Sequence, residues 1–157
     1  MKHLFVPYEI ALQLKEKGFD EPCLGYLTKE AINLDKEGNK TNFVLLSEKL
    51  RGELSGQGTC KNSLFQWLKD NDRTTGELYI LSNSVSAPLY QQVVDWFREK
   101  HRIELMVKSR INGEIDIYLY SVNKFGDSSS YRYDKSYVKY SYYEALNQAI
   151  EEALKLI

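Results

Sequence analysis

The sequence predicts an α+β fold: a small, mostly antiparallel sheet with helices over 7–17, 87–101 and 141–157 packed on one of its faces. Two observations predict it. Apolar and polar residues alternate on both sides of Asn112-Gly113, which is the strongest hairpin signal in the chain. Each helical segment carries its apolar residues along one side, and such stripes need a shared apolar surface to cover them.

Length and composition bound this prediction. The chain has 157 residues, with 21 basic and 22 acidic side chains, so its formal net charge is −1. That length fits a single domain over 1–157 with a sizeable core. The charge balance argues against a broadly basic protein that binds long nucleic acids. A membrane span needs about 18 consecutive apolar residues, and the sequence contains no such run.

Flanking residues define the first helix, over 7–17. Pro7 suits a first helical turn, and Gly18 suits the left-handed position just past a helix end. Apolar residues at helical spacing supply the buried side of this helix. Residues 23–28 then predict a short strand.

Capping boxes predict two more helix starts. Ser63 with Gln66 opens a short helix, and Ser141 with Glu144 opens the helix over 141–157. In the last helix the apolar stripe consists of Leu146, Ala149, Ile150, Ala153, Leu154 and Ile157.

For the helix over 87–101, the expected N-cap is Ser86, with Pro88 in the first turn. Short strands are predicted over 78–81 and over 131–140.

The register of the hairpin is predicted from charge and burial. A three-residue loop over 111–113 places apolar residues opposite each other on one face and opposite charges on the other face. In this register Tyr118 and Tyr120 stand on the charged, outer face. The predicted pairs are Val107 with Ile117, Leu105 with Leu119, Arg110 with Glu114, and Lys108 with Asp116.

Three stretches of the chain resemble small proteins that bacteriophages and prophages encode. They are Phe5–Leu12 with Gly18–Cys23, Ala87–Gln92 with Trp96–His101, and Tyr143–Leu146 continuing to Ala153–Ile157. The matched residues are packing and capping residues, so the resemblance implies no catalytic site. It implies a phage accessory protein acting inside an infected bacterium, and such proteins are often counter-defence or host-takeover factors. A cytoplasmic location is expected separately, from the cysteine usage and the lack of an apolar membrane-spanning run. Residues 29–81 depart from the resemblance and are interpreted as an insertion.

Residues that carry catalysis or bind metals are few. No metal-ligand spacing relates the cysteines and histidines, which are Cys23, Cys60, His3 and His101. Two cysteines without a framework spacing indicate a reducing compartment. The sequence leaves open whether they form a disulfide. His101 is interpreted as a favourable charge at a helix C-terminus. Residues 56–63 precede a helix but lack the spacing of a phosphate-binding loop. The sequence thus predicts no catalytic residues, no metal and no cofactor.

A tyrosine-rich, basic segment is the strongest functional signal. Tyrosine can stack on a base and still form a hydrogen bond, and lysine and arginine bind phosphate. The same residues also suit a plain half-buried strand or an interface in a homo-oligomer. The candidate ligand-binding residues are Arg110, Tyr118, Tyr120, Arg132, Tyr133, Lys135, Tyr137 and Lys139; Tyr131, Tyr140, Tyr142, Tyr143, Lys108 and Lys124 lie nearby.

We therefore expect a non-catalytic binding protein. In its sharpest form it is a sponge that sequesters a small anionic, nucleotide-type signal of host defence. A first alternative is a factor that binds a host protein through its tyrosine-rich face. A second alternative is an enzyme that uses cysteine or histidine. A homo-oligomer is expected because small-ligand pockets are often built between subunits.

Overall fold

The computed structural model describes residues 2–30, 33–34, 40–45, 60–70, 84–112, 115–126, 131–139 and 141–157. The chain forms two compact units, Met1–Tyr90 and Gln91–Ile157. Helices and antiparallel sheets are both present, so the predicted α+β class is confirmed. The interpretation as one domain, with 29–81 as an insertion, stays a prediction.

The described part of the first unit contains two helices and short strands. Its elements are a 3-10 turn (Lys2–Leu4), α1 (Tyr8–Glu16), β1 (Gly25–Leu27), β2 (Asn33–Leu34), β3 (Lys40–Thr41), β4 (Phe43–Leu45), α2 (Asn62–Asp70) and β5 (Val85–Ser86). The strands form an antiparallel sheet of order β4-β1-β5 and a separate β2-β3 pair. Both α1 and α2 contact β5.

The second unit is a helix-covered meander. Helix α3 (Tyr90–His101) leads into β6 (Ile103–Asn112), β7 (Ile115–Lys124), β8 (Tyr131–Lys139) and α4 (Tyr142–Leu154). The strands pair in sequence order, and α4 contacts all three. The described strands thus divide among three sheets, where the sequence predicted one. Strands of two or three residues are too short for alternation to reveal them.

The first helix is confirmed, but it is one residue shorter at each end than predicted, and Pro7 precedes the first turn. Pro7 is its N-cap in an extended conformation, and Gly18 has φ of +88° just after it. The side of α1 predicted to be buried is buried, with Ile10, Ala11 and Leu14 at most 1% exposed. The fixed φ of proline and the freedom of glycine therefore act at this helix as the sequence indicates.

The predicted capping box at Ser63 and Gln66 is wrong. Helix α2 begins one residue earlier, and the Ser63 N–H donates instead to Asp20 Oδ1 at 2.7 Å. Asn62 is buried and joins distant segments: its Nδ2 donates to the Phe19 carbonyl at 2.8 Å, and its Oδ1 accepts the Ser86 N–H at 3.0 Å. A carboxylate from another segment thus takes the capping role.

The helix predicted over 87–101 starts later, at Tyr90. Ser86 is part of β5 and is not an N-cap, and the Ala87 N–H donates to the Gly25 carbonyl at 2.9 Å. The residue before a proline avoids helical conformation, which holds Ala87 extended ahead of Pro88. The predicted strand over 78–81 and the loop at 56–59 lie outside the described residues.

The predicted hairpin register is wrong. The observed pairs include Asn112 with Ile115, Val107 with Tyr120, and Leu105 with Val122. Alternate residues share a face, so one face carries Ile103, Leu105, Tyr120 and Val122, each at most 6% exposed. Ile117 and Leu119 lie on the other face, opposite the exposed Arg110 and Lys108.

Burial explains this register. Tyr120 is 4% exposed and Val122 is fully buried, and burying each large apolar side chain is worth roughly 1.5–3 kcal/mol. Two cross-strand charge pairs contribute only about 0.4–2 kcal/mol together. The face containing Tyr118, Tyr120 and Val122 therefore turns toward α4, and the placement of both tyrosines on an outer, charged face was incorrect.

Helix α4 covers the sheet with the predicted stripe except for Ile157, which lies beyond the end of the helix and is half-buried. Ala145, Leu146, Ala149, Ile150, Ala153 and Leu154 are its buried residues. Ser141 is the N-cap, but its side chain makes no cap hydrogen bond, so the predicted capping box with Glu144 is not formed. Its carbonyl oxygen still accepts the Ala145 N–H at 3.2 Å, which starts the helix.

Candidate functional site

Three tyrosine rings meet where α4 begins. The Tyr118 ring from β7 lies edge-on to Tyr142, with ring centroids 6.2 Å apart and planes at 85°. Tyr142 makes a second edge-on contact, with Tyr143, at 5.5 Å and 87°. Tyr142 is 45% exposed, so this tyrosine cluster (Tyr118, Tyr142 and Tyr143) presents an aromatic surface to solvent. Edge-to-face contacts of this kind hold each ring in a defined orientation.

The first turn of α4 adds backbone polarity to the tyrosine cluster. The first four N–H groups of a helix have no partner inside the helix, and the helix dipole makes this end positive. The Ser141 side chain does not cap them. The exposed Glu144 lies in the same turn and supplies a negative charge there. The N-terminus of α4 is thus polar and hydrogen-bonding, with its positive field partly offset.

Two basic candidates on β8 are strand partners of tyrosines on β7. Lys139 pairs with Tyr118, and Lys135 pairs with Tyr120. Because the register shifts between these two pairs, β8 contains extra residues there, and Tyr137 lies within that stretch. The ladder therefore brings the backbone of Lys139 to the strand position that carries the first ring of the tyrosine cluster.

The remaining β8 candidates lie further along the ladder. Tyr133 pairs with Val122, and Arg132 pairs with Asn123. These positions are toward the end of β7 that is remote from Tyr118. Since antiparallel strands rise about 3.4 Å per residue, Val122 is about 14 Å from Tyr118 along β7.

Two candidates are separated from the tyrosine cluster. Tyr120 is buried on the α4 face, so it packs the core of the second unit. Arg110 is exposed and pairs with Ile117, which places it on the opposite face of the sheet from Tyr118. Strand alternation puts Arg110 on the other face, whereas Tyr120 shares the face of Tyr118 and is separated from the solvent-exposed surface by burial.

Sequence reasoning placed Tyr142 and Tyr143 near the candidate site without including them in it. The sequence feature that could have identified them is their position in the first turn of a helix that directly follows a strand rich in tyrosine. Residues there meet the central strand of the sheet that the helix covers. Pattern analysis of the strand alone does not join the two elements.

The thiols are buried and protonated. Cys23 and Cys60 are both free and 0% exposed. Burial raises the pKa of Cys23 to about 12, although the Ser86 hydroxyl beside it acts in the opposite direction. Burial, followed by the proximity of Cys23, raises the pKa of Cys60 still further. An activated nucleophile needs the opposite shift, toward a thiolate at neutral pH.

His101 is packed among aromatic rings. Its ring lies 4.4 Å from Trp96 and 6.1 Å from Phe97, measured between centroids, and its buried Nε2 has no hydrogen-bond partner. Burial and then the charge of Lys124 lower the pKa of His101. The lowered pKa disfavours a charged ring, and His101 lies at the C-terminus of α3 as expected, so its role there as a charge or cap stays a prediction.

Within the described ranges, no group of three or more histidine, cysteine or acidic side chains is placed to hold a metal ion. None of the helices in those ranges combines the length and the apolar character that a membrane crossing requires. No family model matches the chain, and neither a curated protein nor a solved structure matches it.

Proposed function

We propose that this chain is a non-catalytic binding protein, encoded by a phage or prophage, that sequesters a small anionic, nucleotide-type ligand in the host cytoplasm. The observation that carries the proposal is the tyrosine cluster at the start of α4, with Tyr142 45% exposed beside two further rings. A base stacks on such a ring, and backbone N–H groups of the first helical turn are donors for a phosphate.

The neighbouring strand supplies basic residues for the same ligand. Lys139 pairs with Tyr118, and Lys135 follows at the next paired position. Lysine neutralises phosphate as a point charge, so these residues suit an anion of variable shape. Arg132 pairs with Asn123, on the face away from Tyr118, and Tyr133 pairs with the buried Val122, so neither residue is assigned to this ligand.

Burial of the candidate catalytic groups supports binding over catalysis. It raises the pKa of both thiols, away from a reactive thiolate, and it lowers the pKa of His101. A sequestering protein needs a shaped surface and a favourable binding free energy, with no group that donates or removes a proton.

Calorimetry with a panel of linear, cyclic and ADP-ribose-type nucleotides tests this proposal. We expect Tyr142→Ala to weaken binding by about 1–3 kcal/mol, or roughly 5–150-fold, because it removes a stacking face. Tyr142→Phe should retain most of the affinity. Lys139→Ala should weaken binding and reduce its salt dependence, since it removes a phosphate partner.

Phe125→Ala is the matched control. Phe125 is 52% exposed in the same unit, at the opposite end of the helix-covered sheet. Lys124 marks that end, since its Nζ donates to the Leu156 carbonyl at 2.7 Å beyond the last turn of α4. No heat from any nucleotide, or equal effects of Tyr142→Ala and Phe125→Ala, would contradict the proposed site.

A host-protein-binding factor is the second candidate, because an exposed tyrosine flanked by other rings is also typical of protein interfaces. In that case affinity capture with the wild-type chain recovers a defined host protein, and Tyr142→Ala loses it. Nucleotides then give no heat. We also propose a homo-oligomer, whose mass native mass spectrometry reads directly.

A further inference from the structure

Cys23 and Cys60 face each other across an antiparallel bridge that joins the start of β1 to the start of α2. Each donates its N–H to the other's carbonyl oxygen, and both N···O distances are 2.8 Å. Such a directly hydrogen-bonded pair has Cα atoms about 5.5 Å apart, and disulfides span Cα separations of about 4.4–6.8 Å. The backbone therefore already holds the two cysteines at disulfide distance.

Their side chains occupy one buried environment. Residues directly opposite in an antiparallel pair share a face, and the influence of Cys23 on the pKa of Cys60 reflects this proximity. The Cys60 thiol donates to the Gly25 carbonyl, with Sγ···O of 3.0 Å, and the Cys23 thiol donates to the Glu21 carbonyl at 3.4 Å. Cross-linking would release these two weak hydrogen bonds and keep the backbone pairing.

We propose that Cys23 and Cys60 form a reversible intramolecular disulfide in the native fold when a low-molecular-weight disulfide such as glutathione disulfide is the oxidant. The thiolate of one cysteine attacks one sulfur of glutathione disulfide and releases a glutathione thiolate. The thiolate of the other cysteine then attacks the protein sulfur of this mixed disulfide and releases a second glutathione thiolate. Two protein thiols lose two protons and two electrons, and one glutathione disulfide is reduced to two glutathione molecules.

The structure sets the rate of these steps. Burial raises the pKa of both thiols, so the attacking thiolate is scarce at neutral pH. Both sulfurs are buried, so the oxidant reaches them when the isolated bridge opens. We expect oxidation to be slow at neutral pH and to accelerate as the pH rises.

The bond would fix both ends of the segment 24–59. Cross-linking a long loop stabilises the folded state mainly by restricting the unfolded chain. The Cβ atoms of a hydrogen-bonded pair must approach by roughly 1 Å, which offsets part of that gain and keeps the bond reducible. We expect oxidation to raise Tm by about 5–10 °C.

The test is equilibration of the whole chain in glutathione redox buffers, followed by acid trapping, mass spectrometry and thermal melting. The expected product has lost two hydrogen atoms, contains a Cys23–Cys60 cross-linked peptide, melts at a higher temperature and returns to the dithiol in excess glutathione. Cys23→Ser and Cys60→Ser are the matched controls, and neither should show the loss of two hydrogens or the rise in Tm.

Other outcomes overturn the proposal. They are glutathione adducts or intermolecular dimers as the main oxidised species, a cross-link that forms only in denaturant, and an unchanged or lowered Tm in the oxidised chain. A second readout protects against variants that fold poorly. The rate of disulfide formation in the wild-type chain should rise between pH 7 and pH 9, as thiolate attack requires.

Discussion

Leu105→Ala and Leu119→Ala form a matched pair that tests which face of the hairpin packs against α4. The two changes remove the same three carbons from neighbouring strands. Leu105 is 6% exposed and pairs with Val122, which is fully buried. Leu119 pairs with the exposed Lys108 on the other face and is half-buried. The two substitutions should therefore have different effects on the free energy of unfolding.

The expected magnitudes follow from burial. Removing three buried carbons costs about 2.4 kcal/mol at about 0.8 kcal/mol each, and the cavity left beneath α4 adds to this. Leu105→Ala should therefore lower stability by about 2–5 kcal/mol and lower Tm by roughly 5–15 °C. Leu119→Ala opens onto solvent and should cost under about 1.5 kcal/mol.

Urea unfolding followed by circular dichroism, with thermal melts alongside, measures both variants against the parent chain. Each variant should retain the parent's far-ultraviolet spectrum before the transition. If Leu119→Ala destabilises the chain as much as Leu105→Ala does, the two leucines share a packed face. The pairing of Leu105 with Leu119 would then be correct, and the register described here would be refuted.

Two further perturbations test local chemistry. Burial and the charge of Lys124 lower the pKa of His101 in the folded chain below its unfolded value near 6.5. Between these two pKa values the unfolded chain binds more protons than the folded chain. The free energy of unfolding should therefore decrease as the pH falls from 6.5 toward the lowered pKa. Melts at stepped pH should show this decline in the parent and a weaker one in His101→Phe, and equal slopes would contradict the assignment. Asp20→Ala removes the carboxylate that accepts the Ser63 N–H and should lower the free energy of unfolding by about 0.5–2 kcal/mol. Asp20→Asn should recover part of this stability. An unchanged urea midpoint in Asp20→Ala would show that the cap is not stabilising.

Local signals in the sequence predicted those elements whose boundaries depend on neighbouring residues. Pro7 and Gly18 bracket α1 because each restricts or permits a backbone angle at its own position. The stripe of α4 is recognisable because helical periodicity repeats over several turns. Such features need no knowledge of what lies elsewhere in the chain.

Features that depend on distant partners were not predictable in this way. The cap of α2 comes from Asp20, 43 residues before Ser63, and the bridge between Cys23 and Cys60 likewise joins distant segments. The hairpin register depended on whether Tyr120 prefers the core to a charged surface, which the presence of α4 decides. The candidate site shows the same limit, since Tyr142 joins Tyr118 only through helix–sheet packing.

Native mass spectrometry of the chain, purified from bacteria whose anti-phage defence is active, tests the proposed binding function. We expect the chain to carry a bound small ligand of nucleotide mass. The Tyr142→Ala variant, purified in parallel, should carry markedly less of this ligand. The Phe125→Ala variant should carry as much as the parent chain. A chain that carries a stoichiometric host protein and no nucleotide, that carries neither, or that converts the nucleotide into another product would contradict the proposal.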